Sequence, residues 1–275
     1  MPVSDPDRHA FSGRTMLVVL AHPDDESLAT GGLIARAVDA GARVVLICGS
    51  RGERGSVSDR ALLGHRTIAD VRAAELVDAA AVLGIHTVIQ LDHPDGSLQW
   101  ANVPIFHADI VAAIQAHQPD LVVTFDEDGL YWHKDHIGVH ERTLTAVASF
   151  GEAAPPLYYV TMPPGIIAGI IDTAQGKGGA PPDSSFWGIS PIAFGLHDEH
   201  PELALDVRPW AHRKLQALRC HKTQMGPQNP ISWITDEDAE RWLGRELFRR
   251  SPLPTAMPRL LDALCEPLER PTPGA

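Results

Sequence analysis

The chain has 275 residues, 44% hydrophobic and 21% charged, enough apolar side chain for one large core, so a single α/β domain spanning 1–275 is expected. Acidic side chains outnumber basic ones 35 to 23, and the formal charge of -12 repels phosphate backbones and anionic lipid. General nucleic-acid binding and membrane association are therefore excluded, a small molecule is the expected partner, and self-association into a homo-oligomer is left open.

Cys48, Cys220 and Cys265 are odd in number and widely spaced, which gives neither a disulfide framework nor a cysteine zinc site. Residues 1–13 lack the basic start and apolar run of a signal peptide, and no stretch of about eighteen apolar residues is present. A cytoplasmic location is expected.

Short β-rich runs alternate with longer amphipathic segments, the pattern of βαβ units. Strands are predicted at 15–20, 43–48, 87–91, 121–125 and 157–161, which implies a Rossmann-like three-layer α/β fold with a mostly parallel sheet. Helices are predicted at 27–40, with Gly41 as its stop and Gly31-Gly32 permitting close approach to the sheet, and at 64–83, ending at Gly84. Two more follow at 104–117, with Pro104 near its start, and from about 135 to 150. Beyond Thr161 the regularity fades. Residues 163–190 read as a long loop or cover, 209–222 as a helix, and 252–273 as a short helix with a loosely held tail. The catalytic core is thus expected at 14–162, with 163–275 as an irregular C-terminal elaboration.

In open parallel sheets, ligands bind beyond the carboxyl ends of strands where the strand order reverses. There the first strand runs into Ala21-His22-Pro23-Asp24-Asp25-Glu26, and the fourth into a loop holding Asp126, Asp128, Tyr131, His133, Asp135 and His136. Carboxylates crowded beside a histidine repel one another, and a cation is the simplest partner that relieves them. A catalytic zinc takes three nitrogen or oxygen ligands and keeps one open position; His22, Asp25 and one histidine of the 133–136 segment meet that count. Asp24, adjacent to Asp25, then stays free to act as a general base.

The stretches AHPDDE at 21–26 and HKDH at 133–136 resemble the paired motifs of the LmbE-like, or PIG-L, family of zinc-dependent de-N-acetylases, which includes N-acetylglucosaminyl-phosphatidylinositol deacetylase and the mycothiol and bacillithiol biosynthesis deacetylases. That resemblance implies Zn2+, with Fe2+ also accommodated, held by His22, Asp25 and His136, and Asp24 as the base. It implies that His133 polarises the amide carbonyl and protonates the departing amine, that Asp135 orients the His133 ring, and that Tyr131 supports the oxyanion. The implied reaction is removal of an N-acetyl group from an N-acetylglucosamine-type small molecule by metal-activated water.

Softer likenesses, in Gly52-Glu53-Arg54-Gly55, in Arg72 to Leu76 and in His93-Pro94-Asp95-Gly96, place Glu53, Arg72 and Asp95 on the sugar. A late patch with Lys214, His221 and Gln224 also resembles the family without disclosing a role, and Lys134 stands where many relatives have proline. The likeness covers 14–162 and that patch.

Plainer readings compete at several positions. Glu26 can be a helix-start carboxylate or a brace, Arg72 and Glu75 an exposed ion pair, and Asp95 simple turn chemistry. His140, one turn after His136, could complete an HxxxH pair, whereas residues 197–200, His-Asp-Glu-His, read as a solvated turn. Cys48 reads as a core residue and the six tryptophans as core or rim. Two other functions share some of these features. Two histidines and a carboxylate also make the non-haem iron(II) oxygenase site. A non-catalytic nucleotide-binding domain is disfavoured by HPDDE standing where GxGxxG would be expected.

Overall fold

The computed structural model describes residues 4–179, 186, 189–195 and 201–268. Strand β1 (Thr15–Leu20) lies between β2 (Arg43–Cys48) and β4 (Leu121–Phe125), parallel to both; β3 (Thr87–Gln90) flanks β2 and β5 (Leu157–Thr161) flanks β4. These are near-continuous apolar runs because helices cover both faces, and Met16 to Leu20 are wholly buried. Strand order reverses between β1 and β4, so the loops after these two strands share one crevice.

The helices are α1 (Asp5–Phe11), α2 (Asp25–Asp39), α3 (Ile68–Leu83), α4 (Val103–His117), α5 (Gly129–Trp132), α6 (Lys134–Ala148), α7 (Ile166–Gly176), α8 (Ala211–Cys220) and α9 (Asp236–Leu243). Helix α3 begins four residues later than its predicted start because a Thr67–Asp70 capping box fixes it. The five predicted strands and the mostly parallel sheet are present.

The region beyond Thr161 is more regular than expected. Within the stretch read as a loop, α7 buries Ile167, Ile170, Ile171 and Ala174, a helical period. Three strands extend the sheet past β5 in antiparallel fashion: β7 (Arg245–Arg250) beside β5, then β6 (Leu203–Asp206), then β8 (Glu266–Pro267) within the expected tail. Charge hid β7, whose sequence is RELFRR. Pairing neutralises most of that charge: Arg249 with Asp126, Arg250 with Glu202 and Asp262, and Glu246 with Lys214, while Arg245 is exposed.

Gly31-Gly32 does permit close packing, but against α8 and Val207 as well as the sheet. A Cβ on Gly32 would stand 2.5 Å from Val207 Cγ2. The Gly32 and Leu33 amides donate to Glu246 at 2.8 and 2.9 Å, and Lys214 Nζ reaches the same carboxylate at 2.6 Å, all of it buried. Removing one partner of a buried ion pair leaves the other charge uncompensated. Lys214→Met is therefore expected to lower unfolding free energy by about 3–5 kcal/mol in chemical denaturation; a loss below about 1 kcal/mol would contradict this account of the pair.

Candidate metal centre

At the end of β1 the chain turns sharply into α2. Asp24 stands at the helix N-cap with φ 111°, and its carboxylate makes no capping bond. It pairs instead with Arg72 Nη2 at 3.0 Å, while the same guanidinium donates to the Gly52 carbonyl at 2.8 Å and the Pro23 carbonyl at 2.5 Å. Room for this depends on glycine: a Cβ on Gly52, itself at φ +66°, would come within 2.2 Å of Arg72 Nη1.

Donor atoms of three residues converge beside this turn. His22 Nδ1 is 3.4 Å from Asp25 Oδ2, His136 Nε2 is 3.3 Å from Asp25 Oδ1, and His136 Nε2 is 3.3 Å from His22 Nδ1. Two atoms bound to one tetrahedral zinc at ~2.0–2.1 Å stand roughly 3.3–3.4 Å apart, so each of these contacts has the length of a coordination edge, the two histidines meeting different oxygens of Asp25.

The outer contacts select the matching tautomers. His22 Nε2 faces Asp135 at 3.1 Å and Asp95 at 3.2 Å, so its proton belongs on Nε2 and its lone pair on Nδ1. His136 Nδ1 faces the Gly129 carbonyl at 3.1 Å, which puts that ring's lone pair on Nε2. Gly129 opens α5, a kinked turn with Leu130 at φ 66° and Trp132 at φ 60°.

His22 also belongs to two wider clusters whose donor atoms lie within 4.8 Å of one another, one with His133 and His136 and one with Asp95 and Asp135. The second is an outer layer. Asp135 already accepts from the Gly96 and Leu98 amides at 2.7 and 2.9 Å, and Asp95 from the Arg54 amide at 2.7 Å.

Electrostatics agree with a cation site. Burial works to neutralise the His22 imidazolium, yet Asp135, Asp25 and Asp95 together hold its pKa well above the ordinary histidine value. Burial likewise opposes charge on Asp25, but His136 and His22 hold that carboxyl well below the usual range. Asp24 goes the other way: burial raises it, with Arg72 pulling against the rise, while about a third of the side chain stays open (32%). His133 is pushed down to about 4 by burial and by its neighbours His136 and His22, so it is neutral at pH 7. A metal ion replaces the proton that the His22 ring would otherwise carry.

The structure brings together His22, Asp24, Asp25, Tyr131, His133, Asp135 and His136. Tyr131 and His133 line the cavity with Asp24, and the Tyr131 ring meets those of His133 and His136 edge-on at 5.7 and 5.2 Å. One relation differs from expectation. The Asp135 carboxylate orients His22 rather than the His133 ring, because its oxygens are turned toward residues 96–98; only its backbone N–H reaches His133 Nδ1, at 3.3 Å, capping α6. That bond leaves the ring proton of neutral His133 on Nε2.

Glu53, Arg72 and Asp95 each buttress the site. The Asp95 amide donates to Glu53 at 2.8 Å, Asp95 holds His22, and Arg72 holds Asp24. Arg72 and Glu75 are both buried and are no exposed pair; Glu75 instead accepts from the Thr223 amide and hydroxyl at 2.8 and 2.6 Å. Asp126 is engaged by Arg249, Asp128 caps α5, and His140 bonds the Phe125 carbonyl at 2.9 Å. Residues 197–200 lie outside those described. Cys48 is a buried core residue, whereas Trp100 and Trp132 are exposed. Glu26 proves to be a brace, with His221 as its partner at 2.8 Å; the sequence had singled out His221 only as part of a patch without a role.

Fold and site together define an α/β protein with a histidine–carboxylate cluster, a candidate metal centre, at its topological switch point. The GlcNAc-PI de-N-acetylase (PIG-L) family matches residues 17–147. A 1D-myo-inositol 2-acetamido-2-deoxy-alpha-D-glucopyranoside deacetylase from Acidothermus cellulolyticus is 30% identical over 257 residues, covering 86% of this chain and 88% of the relative. The chain belongs to this family.

Among solved structures, the N,N'-diacetylchitobiose deacetylase of Pyrococcus horikoshii superposes with a TM-score of 0.56 at 22% identity, over 87% of this chain and 84% of that one. The 4-carboxy-2-hydroxymuconate hydratase of Pseudomonas putida KT2440 does so at 0.59 and 20%, over 90% and 97%. These two show the shared fold alone, and the hydratase shows that the fold does not dictate the reaction.

His136→Ala is expected to abolish stoichiometric metal binding. Asp135→Asn, which weakens the carboxylate hold on His22, should reduce metal affinity about 10–100-fold in a chelator competition. Unchanged affinity in Asp135→Asn would contradict the orienting role.

Proposed function

We propose that this protein is a zinc-dependent hydrolase that removes the acetyl group from an N-acetylglucosamine-type small molecule. The observation that carries this reading is the convergence of His22 Nδ1, Asp25 and His136 Nε2, with the uncapped Asp24 carboxylate on the adjacent residue. The relatives that share about a third of its residues are named for deacetylation of an inositol-linked 2-acetamido sugar, which supports the same substrate class here. The cavity, about 790 Å³, suits a sugar with an aglycone, and Ser56, Gln224 and Asn229 supply polar groups on its wall.

His22, Asp25 and His136 would hold the ion, which when bound acidifies water toward a pKa of about 7 and polarises a carbonyl. Asp24 accepts the proton of the attacking water, a task favoured by the upward shift that burial gives its carboxyl. Neutral His133 donates its Nε2–H to the amide oxygen as negative charge grows there, and the Tyr131 hydroxyl assists. The proton held by Asp24 passes to the departing nitrogen as the C–N bond breaks, in place of the His133 proton that the family resemblance implies, because His133 is held neutral here. Water has then added across that bond, giving acetate and a free amine with no covalent enzyme intermediate. Arg72 and Asp95 line the cavity, where the sugar hydroxyls come within reach, and Glu53 supports them from behind.

The chain reads as one catalytic domain, since β6 to β8 join the same sheet as the motif-bearing strands. A cytoplasmic location is supported by three free cysteines, and no helix among the described residues is long and apolar enough to cross a membrane.

Amine release from a panel of N-acetylglucosaminides, with and without chelator, tests the reaction and the substrate together. Anaerobic, chelator-sensitive release of amine and acetate is expected; turnover that needs oxygen and a reductant would establish the oxygenase instead. Asp24→Asn should keep its metal and lose on the order of 10²–10⁴ in kcat. Full activity in that variant would remove Asp24 from the base role.

A further inference from the structure

Asp24 holds a left-handed backbone, φ 111°, which a residue with a side chain keeps only where its surroundings fix it. Arg72 supplies one hold, through the carboxylate and the Pro23 carbonyl. The other comes from below the turn. The Asp24 N–H donates to Glu26 Oε2 at 3.0 Å, and Glu26 Oε1 accepts from Ser27 Oγ and faces His221 Nε2 at 2.8 Å.

Both Glu26 and His221 are 1% exposed. Burial opposes charge on each, yet each keeps the other ionised: Glu26 is held low by His221, and His221 is held high by Glu26. His221 ends α8, which packs against α2 and α3, so a C-terminal element reaches the first catalytic loop through one carboxylate. The other ring nitrogen, Nδ1, is buried without a hydrogen-bond partner, and the residue lines the same cavity as Asp24. The two nitrogens therefore differ: Nε2 is engaged by Glu26 and Nδ1 is not hydrogen-bonded.

We propose that His221 is a positioning residue for the reaction: through Nε2 and Glu26 it fixes the Asp24 peptide in the conformation that turns the Asp24 carboxylate toward the cavity. The kinetic part of this inference rests on Asp24 being the base; the conformational part does not. Geometry favours Nε2, because its partner is in place at 2.8 Å and is bonded onward to the strained residue.

Glutamine and asparagine separate the two nitrogens, since a glutamine amide can reach the position of Nε2 and an asparagine amide that of Nδ1. His221→Gln should keep kcat within about threefold. His221→Asn should lose about 10–100-fold in kcat, the scale for residues that orient a catalytic group, with KM within about threefold and metal content unchanged. Glu26→Gln should reproduce His221→Asn, and the double variant should be no worse than the more impaired single one, because the two act in one chain. Crystal structures of the metal-loaded variants give a readout independent of turnover: Asp24 φ stays positive in His221→Gln and relaxes to negative values in His221→Asn and Glu26→Gln.

Full kcat and an unmoved Asp24 in both His221→Asn and Glu26→Gln would overturn the proposal. So would a raised KM at full kcat in His221→Asn, which would make Nδ1 a substrate contact. Should His221→Asn fail to fold, Glu26→Gln decides alone. If Asp24 relaxes as expected while the parent enzyme releases no amine from any acetamido sugar, the positioning role stands and the deacetylase reading falls.

Discussion

Three buried carboxylates surround a single imidazole. Asp25 approaches the Nδ1 side of His22, and Asp95 and Asp135 approach the Nε2 side, all within 3.4 Å. Such a cluster is costly in a low-dielectric interior unless positive charge answers it. A protonated His22 answers it in part, as its upward shift shows, but a divalent ion at the Nδ1 lone pair would do so while leaving the outer hydrogen bonds intact. The fold helps by bringing the N-termini of α2 and α6 to the same crevice. Asp25 and Asp135 lie in the first turns of those helices, where the dipole favours carboxylate.

The rest of the site is organised around that centre in layers. Glu53 holds the Asp95 loop, Asp95 and Asp135 hold His22, Gly129 holds His136, and Arg72 with Glu26 holds Asp24. Motif residues that read as sugar binders thus bear on the proposed metal ligands and the proposed base. The same fold is found in a hydratase, so the fold alone does not assign a reaction.

Much of this was legible in the chain itself. Strands of the parallel half are unbroken apolar runs, and the two polar clusters follow the two strands that flank the switch point, so HPDDE and HKDH could be brought together by topology alone. Long-range pairing was not legible. Nothing local tells that the Asp135 carboxylate serves His22 across 113 residues rather than nearby His133, or that His221 meets Glu26 across 195. β7 was hidden because its charges are neutralised by distant partners, and α7 because proline and glycine on either side masked a helical apolar period.

The most direct test of the central claim is anomalous diffraction from crystals of the zinc-loaded protein, recorded on both sides of the zinc absorption edge. The account predicts one peak about 2.0–2.2 Å from His22 Nδ1, an Asp25 oxygen and His136 Nε2, with His22 Nε2 still bonded to Asp135. A peak on His22 Nε2 between Asp95 and Asp135, or one ligated by His133 in place of Asp25, would contradict it.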